Sequence, residues 1–207
     1  MKIKAVTFLF FQLLAASALF GETINFDNTK PGQLPPGWRG GITGNGKSQW
    51  AVVADKTALS KPNVLKQSGE ATYCWCVKTN ASVQNGFIEV KFKPISGKED
   101  QAGGLIWRFQ DGDNYYLARA NALEDNVAIY HTVKGVRKEY RRTDTKVASN
   151  QWHTLRVDFD GPRFKVTFDG LPALTWTDET FKNAGAVGVW TKADSVTLFD
   201  DFTFEGK

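Results

Sequence analysis

Arg108, Tyr115, Arg119, Asn121 and Tyr130 lie in one short stretch, Gly103 to His131, where strand alternation would place them on a common surface. Guanidinium forks and an amide that grip paired acceptors, set beside phenol rings, are the chemistry of a ligand-binding surface. The stretch reads as three antiparallel strands, GGLIWRFQ, YYLARAN and VAIYH, joined by Asp111-Gly112-Asp113-Asn114 and Ala122-Leu123-Glu124-Asp125. Closed as four-residue hairpins, these loops set Gln110 opposite Tyr115 and Asn121 opposite Asn126. One face then holds Leu105, Trp107, Phe109, Tyr116, Ala118, Ala120, Val127 and Ile129, which is core. The other holds Ile106, Arg108, Tyr115, Leu117, Arg119, Asn121, Ala128 and Tyr130, a mixture that a buried surface does not choose without a reason.

No catalytic residue is assigned by spacing alone. Glu124 and Asp125, at the loop that ends this face, are the acid or base candidates, with loop solvation as the plainer reading. His131 falls opposite Tyr116 on the core side in this register, and a one-residue slip would turn it into the groove. No cofactor is expected, although Asp111, Asp113 and Asn114 offer oxygen ligands that a calcium ion could use; a hairpin turn is their default role. Asp158 and Asp160 stand two apart, but Asp160 opens an Asp-Gly turn.

The elements that position these residues are strands almost throughout. Ile88, Val90 and Phe92 alternate with Glu89, Lys91 and Lys93; His153, Leu155, Val157 and Phe159 with Thr154, Arg156 and Asp158; Phe164, Val166 and Phe168 with Lys165, Thr167 and Asp169. Turn signals at Asn85-Gly86, Asp111-Gly112, Lys134-Gly135, Asp160-Gly161 and Asp169-Gly170 separate them, the pattern of an all-β sandwich or barrel. Phe26 and the closing run Val196, Leu198, Phe202 and Phe204 predict terminal strands that lie side by side. The seven tryptophans are spread along the chain, most of them for the core. Cys74 and Cys76 would point the same way from one strand, at a separation that strains a bridge, so both are expected free and buried.

Residues 1–21 have the charged, apolar, small-residue order of an export leader, with cleavage after Ala18 to Gly21 and one domain over 22–207. Without Lys2 and Lys4, 24 basic residues face 22 acidic ones, a formal charge of +2. The basic residues are scattered apart from Arg137-Lys138 and Arg141-Arg142, which read as a charged edge strand, so no nucleic-acid surface is expected. Nor is a membrane span expected after the leader. A secreted or periplasmic monomer is the expectation.

Phe26-Asp27, Pro36-Gly37-Trp38, Trp50-Ala51-Val52-Val53, Gly86-Phe87-Ile88-Glu89-Val90, Gly104-Leu105-Ile106-Trp107-Arg108-Phe109, Asp113-Asn114-Tyr115-Tyr116, Trp152-His153-Thr154-Leu155 and Phe199-Asp200-Asp201-Phe202 together resemble the concanavalin A-like jelly rolls. Among these the chain is most similar to the secreted bacterial 3-keto-disaccharide hydrolase domains, with laminin G-like modules as distant relatives. The resemblance implies a two-sheet antiparallel sandwich whose concave face handles carbohydrate. It implies either cleavage of 3-keto glycosides, where the ketone acidifies neighbouring C–H bonds, or a non-catalytic binding or adhesive module. The Glu-x-Asp-x-x-Glu string of related retaining glycosidases is absent, which argues against paired-carboxylate hydrolysis.

Overall fold

The computed structural model describes residues 21–207; the expected leader, apart from Gly21, lies outside the described residues. The described chain forms strands Glu22–Ile24 (β1), Trp38–Lys47 (β2), Trp50–Ala54 (β3), Asn63–Gln67 (β4), Glu70–Val83 (β5), Gly86–Ser96 (β6), Ala102–Asp111 (β7) and Asn114–Asn121 (β8). Asn126–Val133 (β9), Val136–Asp144 (β10), His153–Asp160 (β11), Arg163–Phe168 (β12), Leu171–Thr177 (β13), Gly185–Ala193 (β14) and Val196–Gly206 (β15) follow. No helix lies among the described residues. The first sheet runs β13-β12-β11-β6-β15-β4-β3, with β1 on β15; the second runs β10-β9-β8-β7-β14-β5-β2. Every pairing is antiparallel.

The alternation read from sequence becomes the packed interior. Ile88, Val90 and Phe92 of β6, Leu155, Val157 and Phe159 of β11 and Phe164, Val166 and Phe168 of β12 face Leu105, Trp107, Tyr116, Ala118, Val127 and Ile129 of the second sheet in one apolar core. Their polar neighbours point outward, so both sheets keep one face on the core. Lys134-Gly135 and Asp169-Gly170 make tight hairpins with positive φ at both residues, 49° and 77°, then 47° and 78°. That is the left-handed geometry that two-residue hairpins demand. β1 pairs along β15, with Thr23 opposite Thr203, so the terminal strands do lie together.

Cys74 and Cys76 are free and buried on the core side of β5. Burial pushes the Cys74 thiol up to about 11, and the Cys76 thiol higher still.

One departure from the expected register reorganises the site. Trp107 pairs with Tyr116 and Asp111 with Asn114, so Arg108, Phe109 and Gln110 together oppose Tyr115 alone. Arg108 takes a φ of 47°, the left-handed conformation that lets a bulge re-aim a side chain. Phe109, expected in the main core, turns to the outer face; Arg108, expected outside, turns in. On the far side of β8 the register is as read: Asn121 stands opposite Asn126, and Tyr116 opposite His131.

Candidate functional site

The outer face of the second sheet is a trough. β2 and β8 are separated by β5, β14 and β7, yet Thr43 Oγ1 of β2 lies 2.9 Å from Tyr115 Oη of β8. Thr43 also donates to the Gly112 carbonyl at the tip of the β7–β8 turn. The sheet therefore curls until this turn touches the opposite edge, and the aromatic side chains between them close into a second apolar cluster. Trp75, Ile106, Phe109, Tyr115, Leu117, Tyr130 and Trp190 make up most of it. Gly41 and Gly112 give Trp75 room to lie flat, since a Cβ on either would stand 2.2 Å and 2.9 Å from its indole ring.

Beyond this roofed end the trough opens. Tyr73 of β5 stacks on Trp190 of β14, ring centroids 5.5 Å apart, and remains partly exposed. An open depression of about 520 Å³ runs beside it, lined by Asn45, Glu70, Thr72, Tyr73, Glu99 and Lys192. That volume falls within the range of small-ligand sites. Across the trough, Arg137 of the edge strand β10 turns inward, its guanidinium 4.7 Å from the Tyr73 ring centre, 4.5 Å from that of Tyr130 and 5.6 Å from that of Trp190. Lys138, Arg141 and Arg142 keep to the exposed edge as the sequence reading has it, and Arg137 does not.

Charged groups line the flank of these rings. Arg119 is 1 % exposed; its Nε donates to Tyr130 Oη at 3.1 Å and its Nη2 to Glu124 Oε2 at 2.8 Å. Glu124 also accepts from Asn126 Nδ2 and lies 3.7 Å from Arg142. Burial alone would raise the Glu124 pKa, but the bonds from Arg119 and Asn126 and the charges of Arg119 and Arg142 outweigh it and hold the carboxyl at about 2. Asp100 is fully buried, accepting from Asn121 Nδ2 at 2.7 Å and Lys192 Nζ at 2.6 Å, and burial raises its pKa.

A depressed carboxylate pKa stabilises the fold above the unfolded-state value and loses that contribution as pH falls through the folded value. Wild type should therefore be more stable than Glu124→Gln near neutral pH. The gap in denaturant midpoint should close as pH drops from about 5 to about 2. A gap that stays constant over that window would mean that Glu124 is not held by its ion pair.

Of the residues singled out in the sequence, Tyr115, Arg119, Asn121 and Tyr130 share the outer face of the second sheet. They form its buried floor and flank rather than an exposed surface: Tyr115 and Asn121 are fully covered, and Tyr130 is 1 % exposed. Arg108 is not with them. The bulge drives it toward the core, where Nε donates to Gln84 O at 2.9 Å, Nη1 to Phe181 O at 2.8 Å and Nη2 to Gly161 O at 2.6 Å. Its guanidinium lies over Phe159 and Phe164 and ties three loops together at one end of the sandwich.

Glu124 borders the trough, whereas Asp125 points away, bonded to Lys146 Nζ and the Val147 amide. His131 sits on the core-facing side of β9, its Nδ1 against Tyr140 Oη and 3.2 Å from Thr180 Oγ1, across the sheet from Glu124. The Asp111 carboxylate accepts from the Asp113 amide and from Asn114 Nδ2, the bonds of a turn. Among the described residues no group of three or more His, Cys, Asp or Glu is placed to hold a metal ion.

Tyr73, Trp75, Arg137, Trp190 and Lys192 were not singled out by sequence reasoning. A signal exists for two of them, because Tyr73 and Trp75 alternate with the buried cysteines. The pairing of β5 with β14 that brings Trp190 beside them has no local signature.

A larger depression, about 970 Å³, lies on the outer face of the first sheet. Within it Arg156 covers the Phe87 ring at 3.7 Å and pairs with Asp158 and Glu89. A Cβ on Gly21, where the described chain enters, would lie 3.5 Å from Phe87.

The sequence matches no protein-family model and no curated protein. The fold has many solved counterparts. A carbohydrate binding module, CBM66, from Bacillus subtilis superposes with a TM-score of 0.67 at 21% identity, covering 82% of this chain and 96% of that one. A Bacillus licheniformis β-glucanase gives 0.60 at 13% identity over 93% and 99%. Domain 4 of AbnA, an extracellular arabinanase from Geobacillus stearothermophilus solved with arabinotriose, gives 0.55 at 16% identity over 81% and 82%. The chain is thus an all-β, two-sheet, concanavalin A-like jelly-roll sandwich.

Proposed function

We propose that this jelly-roll sandwich is an exported carbohydrate-binding domain, secreted or periplasmic and monomeric, that takes sugar in the open end of the trough. The observation that carries the reading is the Tyr73 ring, partly exposed and stacked on Trp190, at the edge of a depression lined by Lys192, Glu70 and Glu99, with Arg137 against the same ring. Sugars present C–H faces that stack on such rings, and hydroxyls that bond to the polar groups around them. Solved sandwiches of the same fold that bind or act on carbohydrate lend it support. No helix among the described residues is long and apolar enough to cross a membrane.

The test is calorimetric titration with a panel of neutral and acidic oligosaccharides, repeated on Tyr73→Ala. Saturable binding that weakens by about tenfold in the variant, with the folded circular dichroism spectrum retained, is the expected result. Binding indifferent to Tyr73 would move the site elsewhere.

A second reading is cleavage of 3-keto glycosides, with Glu124, which reaches solvent, as the base and Arg119, bonded to it, as the cation beside an enolate. The depressed Glu124 pKa makes it a weak base and ranks this reading below binding. Product release from 3-keto disaccharides, absent with ordinary ones and lost in Arg119→Ala, would establish it. Binding without turnover leaves the recognition domain.

A further inference from the structure

Arg137 is held against aromatic rings and bonded to no acceptor among the described residues. Three rings hold its guanidinium, yet among the described residues it makes no hydrogen bond and no ion pair, and its Nη1 is buried without a partner. The carboxylates on the flank are already matched, and Glu70 and Glu99, on the rim of the depression, form no ion pair with it. Glu124 pairs with Arg119 and Arg142, Glu139 with Arg142, and Asp100 with Lys192. Arg119, whose guanidinium carbon is 5.7 Å from the Tyr130 ring centre, likewise has a buried, unpartnered Nη1. Two guanidinium nitrogens are therefore left without acceptors, and the Arg137 charge has no ion-pair partner among the described residues.

A neutral hydroxyl can accept one such bond but cannot balance the charge. A planar carboxylate does both, because its two oxygens match the guanidinium fork. The Arg137 guanidinium lies against the same Tyr73 ring that borders the open depression, so a sugar stacked on Tyr73 brings a ring substituent within reach of it. Resting on the carbohydrate reading above, we infer that the trough selects an acidic sugar, a uronic acid unit whose carboxylate is bound by Arg137.

Calorimetric titration of the protein with a galacturonic acid oligomer, with its methyl ester and with a neutral oligomer of equal length tests this. The acid should bind at least about tenfold tighter than the ester, the advantage shrinking as salt is raised. In Arg137→Gln, acid and ester should bind alike, and Arg137→Lys, which keeps the charge but not the fork, should fall between. Equal binding of acid and ester by wild type would overturn the acidic-sugar inference while leaving carbohydrate binding intact. Failure of all three ligands, together with the wider panel, would overturn both. An acid preference that survives in Arg137→Gln would take the carboxylate away from Arg137. This comparison in wild type decides the matter even where a variant folds poorly.

Discussion

Arg108→Ala should lower the free energy of unfolding by about 3–5 kcal/mol, the cost of breaking a buried, fully bonded charge. The side chain is 2 % exposed and gives its donors to the Gln84, Phe181 and Gly161 carbonyls. Those carbonyls belong to the β5–β6 turn, the β11–β12 turn and the segment between β13 and β14. Burial pulls the Arg108 pKa down, so the carbonyls and the Phe159 and Phe164 rings must hold the charge in place. Lysine has one ammonium and no fork, so Arg108→Lys should recover only part of the loss. The measurement is urea unfolding of the three proteins. A loss of under about 1 kcal/mol in the alanine variant, within the range of an ordinary surface change, would show that the three loops hold without this side chain.

Gly188→Ala is the second large effect, and its cause is backbone rather than charge. A Cβ at this position would stand 2.2 Å from the Cys76 carbonyl oxygen and 2.7 Å from Val77 Cα. Neither atom can swing aside as a side-chain tip would. β14 is central, paired with β5 on one side and β7 on the other, with register irregularities beside Gly188 in both ladders. One methyl group must therefore part β14 from β5, costing about 3 kcal/mol. Gly170→Ala is the control: its φ is 78° but nothing lies within 4 Å, so only the left-handed backbone is penalised, by about 1–2 kcal/mol. If both variants unfold at the same urea concentration, the close approach of β14 to β5 is not tight in solution.

The fold was legible wherever alternation and turn chemistry agree. Ile88, Val90 and Phe92 could sit only on one face of a strand, and Lys134-Gly135 and Asp169-Gly170 could only turn. The candidate site was half legible. Arg119, Asn121 and Tyr130 fall on the expected side because the β8–β9 hairpin closes as its loop length dictates. Arg108 and Phe109 exchange faces because two extra residues enter β7 beside the turn, and no residue type there announces a bulge. Arg137 was read as one charge of a solvated edge. What turns it inward is the set of rings from Tyr73, Tyr130 and Trp190, on three strands brought together only by the sheet order. Trough and roof are likewise long-range: Thr43 meets Tyr115 across three intervening strands.

The paired thiols of β5 lie directly behind the rings that floor the trough, alternating with Tyr73 and Trp75 along the same strand. With the Cys74 pKa near 11 and both sulfurs sealed, alkylating reagents meet almost no thiolate while the sheet is closed. Their modification rate is thus a native clock for the opening of β5. An occupant stacked on Tyr73 would slow it without touching either sulfur, so occupancy of the trough can be timed by mass spectrometry with no label added to the binding face.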